Sequence, residues 1–153
     1  MKRIAFTLML SISLPAFADR MPLPANTPAS YQAECSSCHM AYQPALLSAS
    51  DWRRTMAGLK DHFGTDATVD APAGHEIASF LERNAGDAGK LGSAGEPPRI
   101  TQTARFIRKH REIAPKYWND PRIKSAANCE ACHRGAADGN YSEHDIAIRE
   151  LKR

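Results

Sequence analysis

Cys35-Ser36-Ser37-Cys38-His39 and Cys129-Glu130-Ala131-Cys132-His133 hold all four cysteines of the 153-residue chain. Both segments read C-x-x-C-H, the attachment motif of c-type haem. The spacing has a chemical reason. Two thiols three residues apart can each add to one vinyl group of a haem, and the imidazole of the next residue then reaches the iron from the proximal side. Other chemistries fit less well. A zinc ribbon leaves about 15–20 residues between its cysteine pairs, whereas 90 residues separate these. A redox-active C-x-x-C accompanies a βαβ pattern, and none is visible. Zinc does not require a histidine after each pair either, and structural disulfides in an oxidising compartment are the third alternative.

The composition outside the motifs supports a bulky cofactor. Residues 1–18 read as a secretory signal: Lys2 and Arg3, an apolar run from Ile4 to Leu14, then Ala16-Phe17-Ala18 with cleavage expected after Ala18. The run is too short to span a bilayer, which takes about 20 apolar residues, so a periplasmic protein that does not cross the membrane is expected. Of the 135 residues that follow, only 27 are large and apolar, and Val69 is the one valine. That is a thin core for a domain of this size, and the shortage of β-branched residues disfavours strands. The net charge of +3 falls to +1 without residues 1–18, far from the strongly basic balance of a nucleic-acid binder. It is unevenly spread: residues 19–98 carry −4 and residues 99–153 carry +5.

Residues 19–30, with Pro22, Pro24 and Pro28, read as an extended leader. Residues 86–98 hold four of the nine glycines together with Pro97 and Pro98, the composition of a linker. The expected division is therefore a first haem domain over 31–85 and a second over 99–153. Three helices are expected. The first spans 49–63, with Ser48 and Asp51 as a capping box, Gly64 as its end, and Trp52, Met56, Leu59 and Phe63 along one face. The second spans 73–84, with Ile77, Phe80 and Leu81 inward. The third spans 102–113, with Thr101 as N-cap and Phe106, Ile107 and Ile113 on its apolar face. Short helical turns are expected around both cysteine pairs.

With His39 and His133 as proximal ligands, a distal ligand is needed for each iron. Methionine is the usual alternative to histidine. Met40 adjoins a proximal histidine, Met56 falls on a core stripe, and no methionine follows residue 56. Histidine is thus the better candidate. His110 lies among Phe106, Ile107 and Ile113, and His62 borders Leu59 and Phe63. His75 falls on the polar side of its helix. His144 shares a helical stripe with Tyr141, Ile148 and Leu151 and stays an open alternative.

The chain resembles the dihaem cytochrome c family whose members reduce a small oxygen-binding monohaem cytochrome c. The likeness rests on Cys35–His39 running into Met40-Ala41-Tyr42-Gln43-Pro44-Ala45-Leu46-Leu47, on Trp52-Arg53, Met56-Ala57-Gly58-Leu59 and Asp61-His62-Phe63-Gly64. It continues through Arg99-Ile100-Thr101, His110-Arg111-Glu112-Ile113 and Lys124-Ser125-Ala126-Ala127-Asn128 into Cys129–Gly135. It implies a mainly α fold, with an N-terminal domain like a class I cytochrome c and a C-terminal haem domain with little regular structure. It also implies two covalent haem c groups, each iron held by two histidines: His39 with His62, and His133 with His110, unless the distal ligands cross between domains.

Two six-coordinate irons imply outer-sphere electron transfer rather than catalysis. The implied partners are a monohaem cytochrome as acceptor and a membrane b-type cytochrome as donor. The rivals are a dihaem subunit of a larger periplasmic reductase and a small haem peroxidase or reductase with one open iron. The charge split further suggests that docking uses the basic C-terminal half, through Arg105, Arg108, Lys109, Arg111, Lys116, Arg122, Lys124 or Arg134.

Overall fold

A computed structural model of the chain describes residues 19–148 and 150; the expected signal segment lies outside them. Five α-helices are described: α1 Ala29–Cys35, α2 Ala49–Ala57, α3 Ala71–Arg83, α4 Ala88–Leu91 and α5 Ala104–Lys109. Short 3-10 turns fill much of the remainder. Among the described residues no strand forms, and β pairing is limited to isolated bridges. The helical class expected from the sequence is the one observed.

The three expected helices are present with different limits. α2 begins on its expected cap: Ser48 Oγ accepts the Asp51 amide (3.2 Å) and donates to the Asp51 carboxylate (2.6 Å). It ends at Ala57 rather than running to 63, because Gly58 caps it and the chain tightens into a 3-10 turn over Leu59–Asp61. Phe63 is therefore not on the helix face; it sits at φ +55° and is exposed. α3 begins two residues earlier than expected, with Asp70 accepting the Ala73 amide (2.8 Å) and Pro72 in the first turn, where its missing N–H costs nothing. α5 is capped by Thr103 rather than Thr101, its Oγ1 accepting the Phe106 amide (3.1 Å), and it stops at Lys109.

The main core gathers Tyr31 of α1, Leu47, Trp52 of α2 and Ile77, Phe80 and Leu81 of α3, all buried. Trp52 Nε1 donates to the Pro44 carbonyl (2.7 Å), so the indole N–H is satisfied where it is buried. The Gly/Pro stretch 86–98 lies against this core. It carries α4, buries Leu91 and Ala94, and its Gly86 amide donates to the Leu47 carbonyl (2.9 Å). The second core is much smaller: Ile123 and Ile148 are buried, with Ile113, Tyr117, Ala131 and Cys132 packed around them.

The leader ties the two regions together. Its Met21 amide donates to the Gly139 carbonyl (2.8 Å), the Tyr141 amide donates to the Asp19 carbonyl (2.9 Å), and Lys109 pairs with Asp19 (2.9 Å). A Cβ on Gly139 would fall 2.1 Å from the Met21 carbonyl oxygen, so this close approach needs glycine.

Candidate haem-binding sites

Each C-x-x-C-H segment begins on helical structure. Cys35 closes α1, and Cys129 opens a 3-10 turn, Cys129–Ala131. No disulfide joins any of the four cysteines. Burial, reinforced by Glu34, pushes the Cys35 thiol up to about 11. Burial also pushes Cys129 up to about 11 and raises Cys132. A reactive disulfide-exchange cysteine needs the opposite shift. Among the described residues no group of three or more His, Cys, Asp or Glu gathers around a common point, so the two cysteine pairs do not converge as in a zinc ribbon.

The structure brings the candidate histidines together two by two. The ring centres of His39 and His62 are 6.3 Å apart, and those of His110 and His133 are 6.1 Å apart. A coordinating nitrogen lies about 2 Å from its metal and about 1.2 Å from its own ring centre, so two imidazoles on opposite sides of one metal have centres roughly 6.4 Å apart. Both pairs fit that spacing. The pairing keeps each distal candidate with the proximal histidine of its own half of the chain. His75 is exposed on α3. His144 is exposed within a 3-10 turn, Glu143–Asp145, rather than on the helical stripe expected for it.

Local bonds orient the rings. His39 Nδ1 lies 2.7 Å from the Met40 carbonyl, and His110 Nδ1 lies 2.9 Å from the Phe106 carbonyl. A carbonyl can only accept, so both nitrogens carry the proton and leave Nε2 with its lone pair, the tautomer a metal ligand needs. His110 also stacks on Phe106 (4.0 Å, 22°) and packs beside Trp118. His62 sits in a tight turn: its amide donates to the Thr65 carbonyl (2.8 Å) and Asp61 accepts the Gly64 amide (3.0 Å).

Burial holds His62 below its ordinary pKa, helped by His39 and Arg99. Burial and His110 do the same for His133, against weaker support from Asp19 and the Ser142 backbone. His110 is lowered by burial, and by Lys109, against the Phe106 carbonyl. All three shifts favour the neutral ring that ligation requires. His133 Nδ1 is buried and has no hydrogen-bond partner among the described residues.

The surroundings also suit a large flat apolar group. Phe63, 44% exposed, follows His62, and Ile107, 59% exposed, is one turn before His110. Each leaves apolar surface open beside a distal candidate. Arg99 stacks over the Phe63 ring at 4.0 Å. A cleft of about 390 Å³ opens on the first site, lined by Cys38, His39, Met40, Ala41 and Glu130.

Sequence reasoning did not find the joint between the sites. Tyr42 stacks on His39 (4.7 Å, 30°), and its hydroxyl donates to the Ala127 carbonyl (2.7 Å). The buried Gln43 donates from Nε2 to the Ala136 carbonyl (2.8 Å) and accepts from the Tyr141 hydroxyl; Tyr141 in turn packs on His133 (5.5 Å). Burial raises Tyr42 to about 12, and Cys129 and Glu130 add to the shift, so its hydroxyl stays protonated. Of the basic side chains proposed for docking, Lys109 and Arg122 are engaged by Asp19 and Asp120. Arg108, Lys116, Lys124 and Arg134 are exposed and make no ion pair among the described residues.

Two cysteine pairs, each followed by a histidine that faces a second one, define a c-type cytochrome with two haems. The dihaem cytochrome c family profile matches residues 31–141, and the chain belongs to that family. A dihaem cytochrome c from Rhodobacter sphaeroides is 38% identical, the match covering 78% of this chain and 99% of that one, with a TM-score of 0.68. The dihaem c-type cytochrome of Shewanella baltica OS155 is 37% identical over 82% of this chain and 97% of its own, with a TM-score of 0.71. Among curated proteins none matches. The cofactors are two c-type haems, the chain has two cysteine pairs to attach them, and the protein transfers electrons.

Proposed function

We propose that the protein is a periplasmic electron carrier with two low-potential bis-histidine haems. One is attached through Cys35 and Cys38 and ligated by His39 and His62; the other is attached through Cys129 and Cys132 and ligated by His133 and His110. The observation that carries this reading is the facing of the imidazoles in two pairs, 6.3 and 6.1 Å between centres. When bound, each haem supplies a one-electron couple. The protein's part is to fix the axial rings, cover the haem faces and leave no open coordination position. That last property separates a carrier from a peroxidase or reductase. Histidine in place of methionine lowers the potential.

The N-terminal region over 31–85 acts as the class I-like haem domain, 86–98 joins it to the second domain over 99–153, and residues 1–18 direct export. The partners are a small monohaem cytochrome as acceptor and a membrane b-type cytochrome as donor. Exposed Arg108, Lys116, Lys124 and Arg134 offer complementary charge to an acidic partner.

The test is substitution of the distal residues. In His62→Ala and His110→Ala, one low-spin haem becomes high-spin and binds carbon monoxide when reduced, while His75→Ala leaves the spectrum unchanged. A His110→Ala protein that stays fully low-spin, with His144→Ala losing a low-spin haem instead, assigns the second distal ligand to His144.

A further inference from the structure

We propose that Arg99 binds a propionate of the first haem: its guanidinium lies over the Phe63 ring, beside His62, with its N–H donors unclaimed by protein. The consequence is a raised potential at that haem. The inference rests on the ligation proposed above, because it takes His39 and His62 as the axial pair around the first iron.

Arg99 is fixed at both ends. Its amide donates to the Ala94 carbonyl (2.7 Å) and its carbonyl accepts the Gln102 amide (3.0 Å). At the other end, Cζ lies 4.0 Å from the centre of the Phe63 ring, and that ring centre is 4.7 Å from the centre of His62. A cation–π contact leaves the planar fork of N–H donors for another partner. Among the described residues nothing takes them: the guanidinium makes no ion pair and no hydrogen bond. Glu96, the acid nearest to it in sequence, is engaged by Arg54.

Phe63 is shaped for this contact rather than for the core. It sits at φ +55°, a conformation that costs a bulky residue free energy, yet its ring is 44% exposed. The turn around His62 keeps it there: the Phe63 amide donates to the Asp61 carbonyl (2.9 Å), and the Asp61 carboxylate accepts the Gly64 amide (3.0 Å). Packing does not account for strain at an exposed ring. A platform that holds Arg99 beside the distal histidine does.

The chemistry of the donor set matches a carboxylate. Haem carries its two propionates on the edge away from the vinyl groups that Cys35 and Cys38 take. The cleft beside Cys38 and His39 offers a carboxylate, Glu130, rather than a cation. Arg53 and Arg54 are already paired with Glu82, Asp51 and Glu96, and Lys60, a flexible point charge, lacks the planar fork. A guanidinium meets a carboxylate through two parallel N–H···O bonds. The field of Arg99 already reaches His62, whose pKa it helps to lower. A fixed positive charge there favours ferrous over ferric iron, so it raises the potential.

The experiment is a spectroelectrochemical titration of the holoprotein with no partner present, haem-methyl NMR assigning each potential to its centre. In Arg99→Gln the potential of the first haem falls, which shifts the distribution of a single electron several-fold toward the second haem. The second potential is unchanged, and both haems stay low-spin. The propionate bending bands in the resonance Raman spectrum move as well. Arg99→Lys recovers part of the potential but not the bands, since it keeps the charge without the fork; a merely structural role makes no such distinction. Lys60→Gln removes an equal charge two residues from His62 and leaves the bands in place. An unmoved potential or unmoved bands in Arg99→Gln, or equal changes in Lys60→Gln, overturns the proposal. So does an Arg99→Gln protein that differs only in its encounter rate with an acidic partner, which makes Arg99 a docking contact. Failure of the underlying ligation looks different: a high-spin haem in the wild-type protein before any potential is measured.

Discussion

His39 and His62 present ring planes 33° apart, whereas His110 and His133 stand at 87°. If each pair shares an iron, this difference is an electronic one. Near-parallel imidazoles donate π density into the same iron d orbital and split it from its partner. Perpendicular imidazoles donate equally into both and leave them nearly degenerate. The expected outcome is two distinct low-spin signals in the low-temperature EPR spectrum of the ferric protein, one ordinary and rhombic, the other strongly anisotropic with a much larger maximum g value. The anisotropic signal is the one lost in His110→Ala. Two superimposable rhombic signals would show that the second pair does not keep its perpendicular arrangement around iron. At this scale the sequence was informative where chemistry is local. The C-x-x-C-H spacing and the shortage of methionine pointed to histidine as the distal residue, and apolar neighbours singled out His62 and His110, whose rings lie 6.3 Å from His39 and 6.1 Å from His133. Ring orientation was not legible, because it depends on bonds such as His110 to Phe106 and on Trp118 packing from another segment. The bridging contacts of Tyr42 and Gln43 join residues 85 to 98 positions apart, beyond any periodicity.

Helix α3 was the most legible element because Ile77, Phe80 and Leu81 fall at helical spacing, though Asp70 caps it and Pro72 lies inside its first turn, two residues ahead of the expected start. α2 and α5 were read too long. Gly58 follows apolar residues that continue the period, and the Leu59–Asp61 turn is tightened by the Asp61-His62-Phe63-Gly64 corner, with Phe63 and Gly64 both at positive φ. α5 ends at Lys109, where the His110 ring turns back to the Phe106 carbonyl. The stretch over 86–98 shows how composition can mislead about packing. Its glycines suggest an open tether, yet a Cβ on Gly86 would lie 2.3 Å from the Ala45 carbonyl oxygen and 2.8 Å from Leu91 Cδ1. Here glycine permits a close approach. Gly86→Ala should therefore destabilise the N-terminal region by about 2 kcal/mol, the usual scale of overpacking. Calorimetry on the holoprotein should show its transition several degrees lower. Gly89→Ala, whose nearest neighbour is the flexible end of Asp87 at 3.2 Å, should leave that transition in place. Equal melting of the two variants would mean that 86–98 does not hold its packed position against Ala45 and Leu91.

The two regions of the molecule differ in how far protein alone can hold them. The N-terminal core buries Tyr31, Leu47, Trp52, Ile77, Phe80 and Leu81 in one cluster. The C-terminal cluster buries Ile123 and Ile148, worth about 1.5–3 kcal/mol each, while ordering each of its residues costs about 1–2 kcal/mol of backbone entropy. The joint through Tyr42, Gln43 and the leader adds hydrogen bonds that net only about 1 kcal/mol apiece. Another buried surface would close the balance, and a haem held by His133 and His110, whose ring packs against Phe106 and Trp118, would supply it. The thin apolar content of the sequence had already signalled this deficit, though not that it falls on one half. Cys129→Ser with Cys132→Ser, expressed with a cytochrome c maturation system, should therefore yield a protein with one haem and a well-ordered N-terminal region. Its C-terminal amides should collapse to the narrow shift range of unfolded chain in a proton–nitrogen NMR spectrum, and limited proteolysis should remove the segment after about Arg99. The reciprocal pair, Cys35→Ser with Cys38→Ser, should keep more of its own region's helix signal, since α1, α2 and α3 already share a core. If the methyl signals of Ile123 and Ile148 hold their native shifts in the Cys129 and Cys132 double variant, the protein packing and the interdomain joint suffice, and the haem is a passenger in the second domain rather than part of its core.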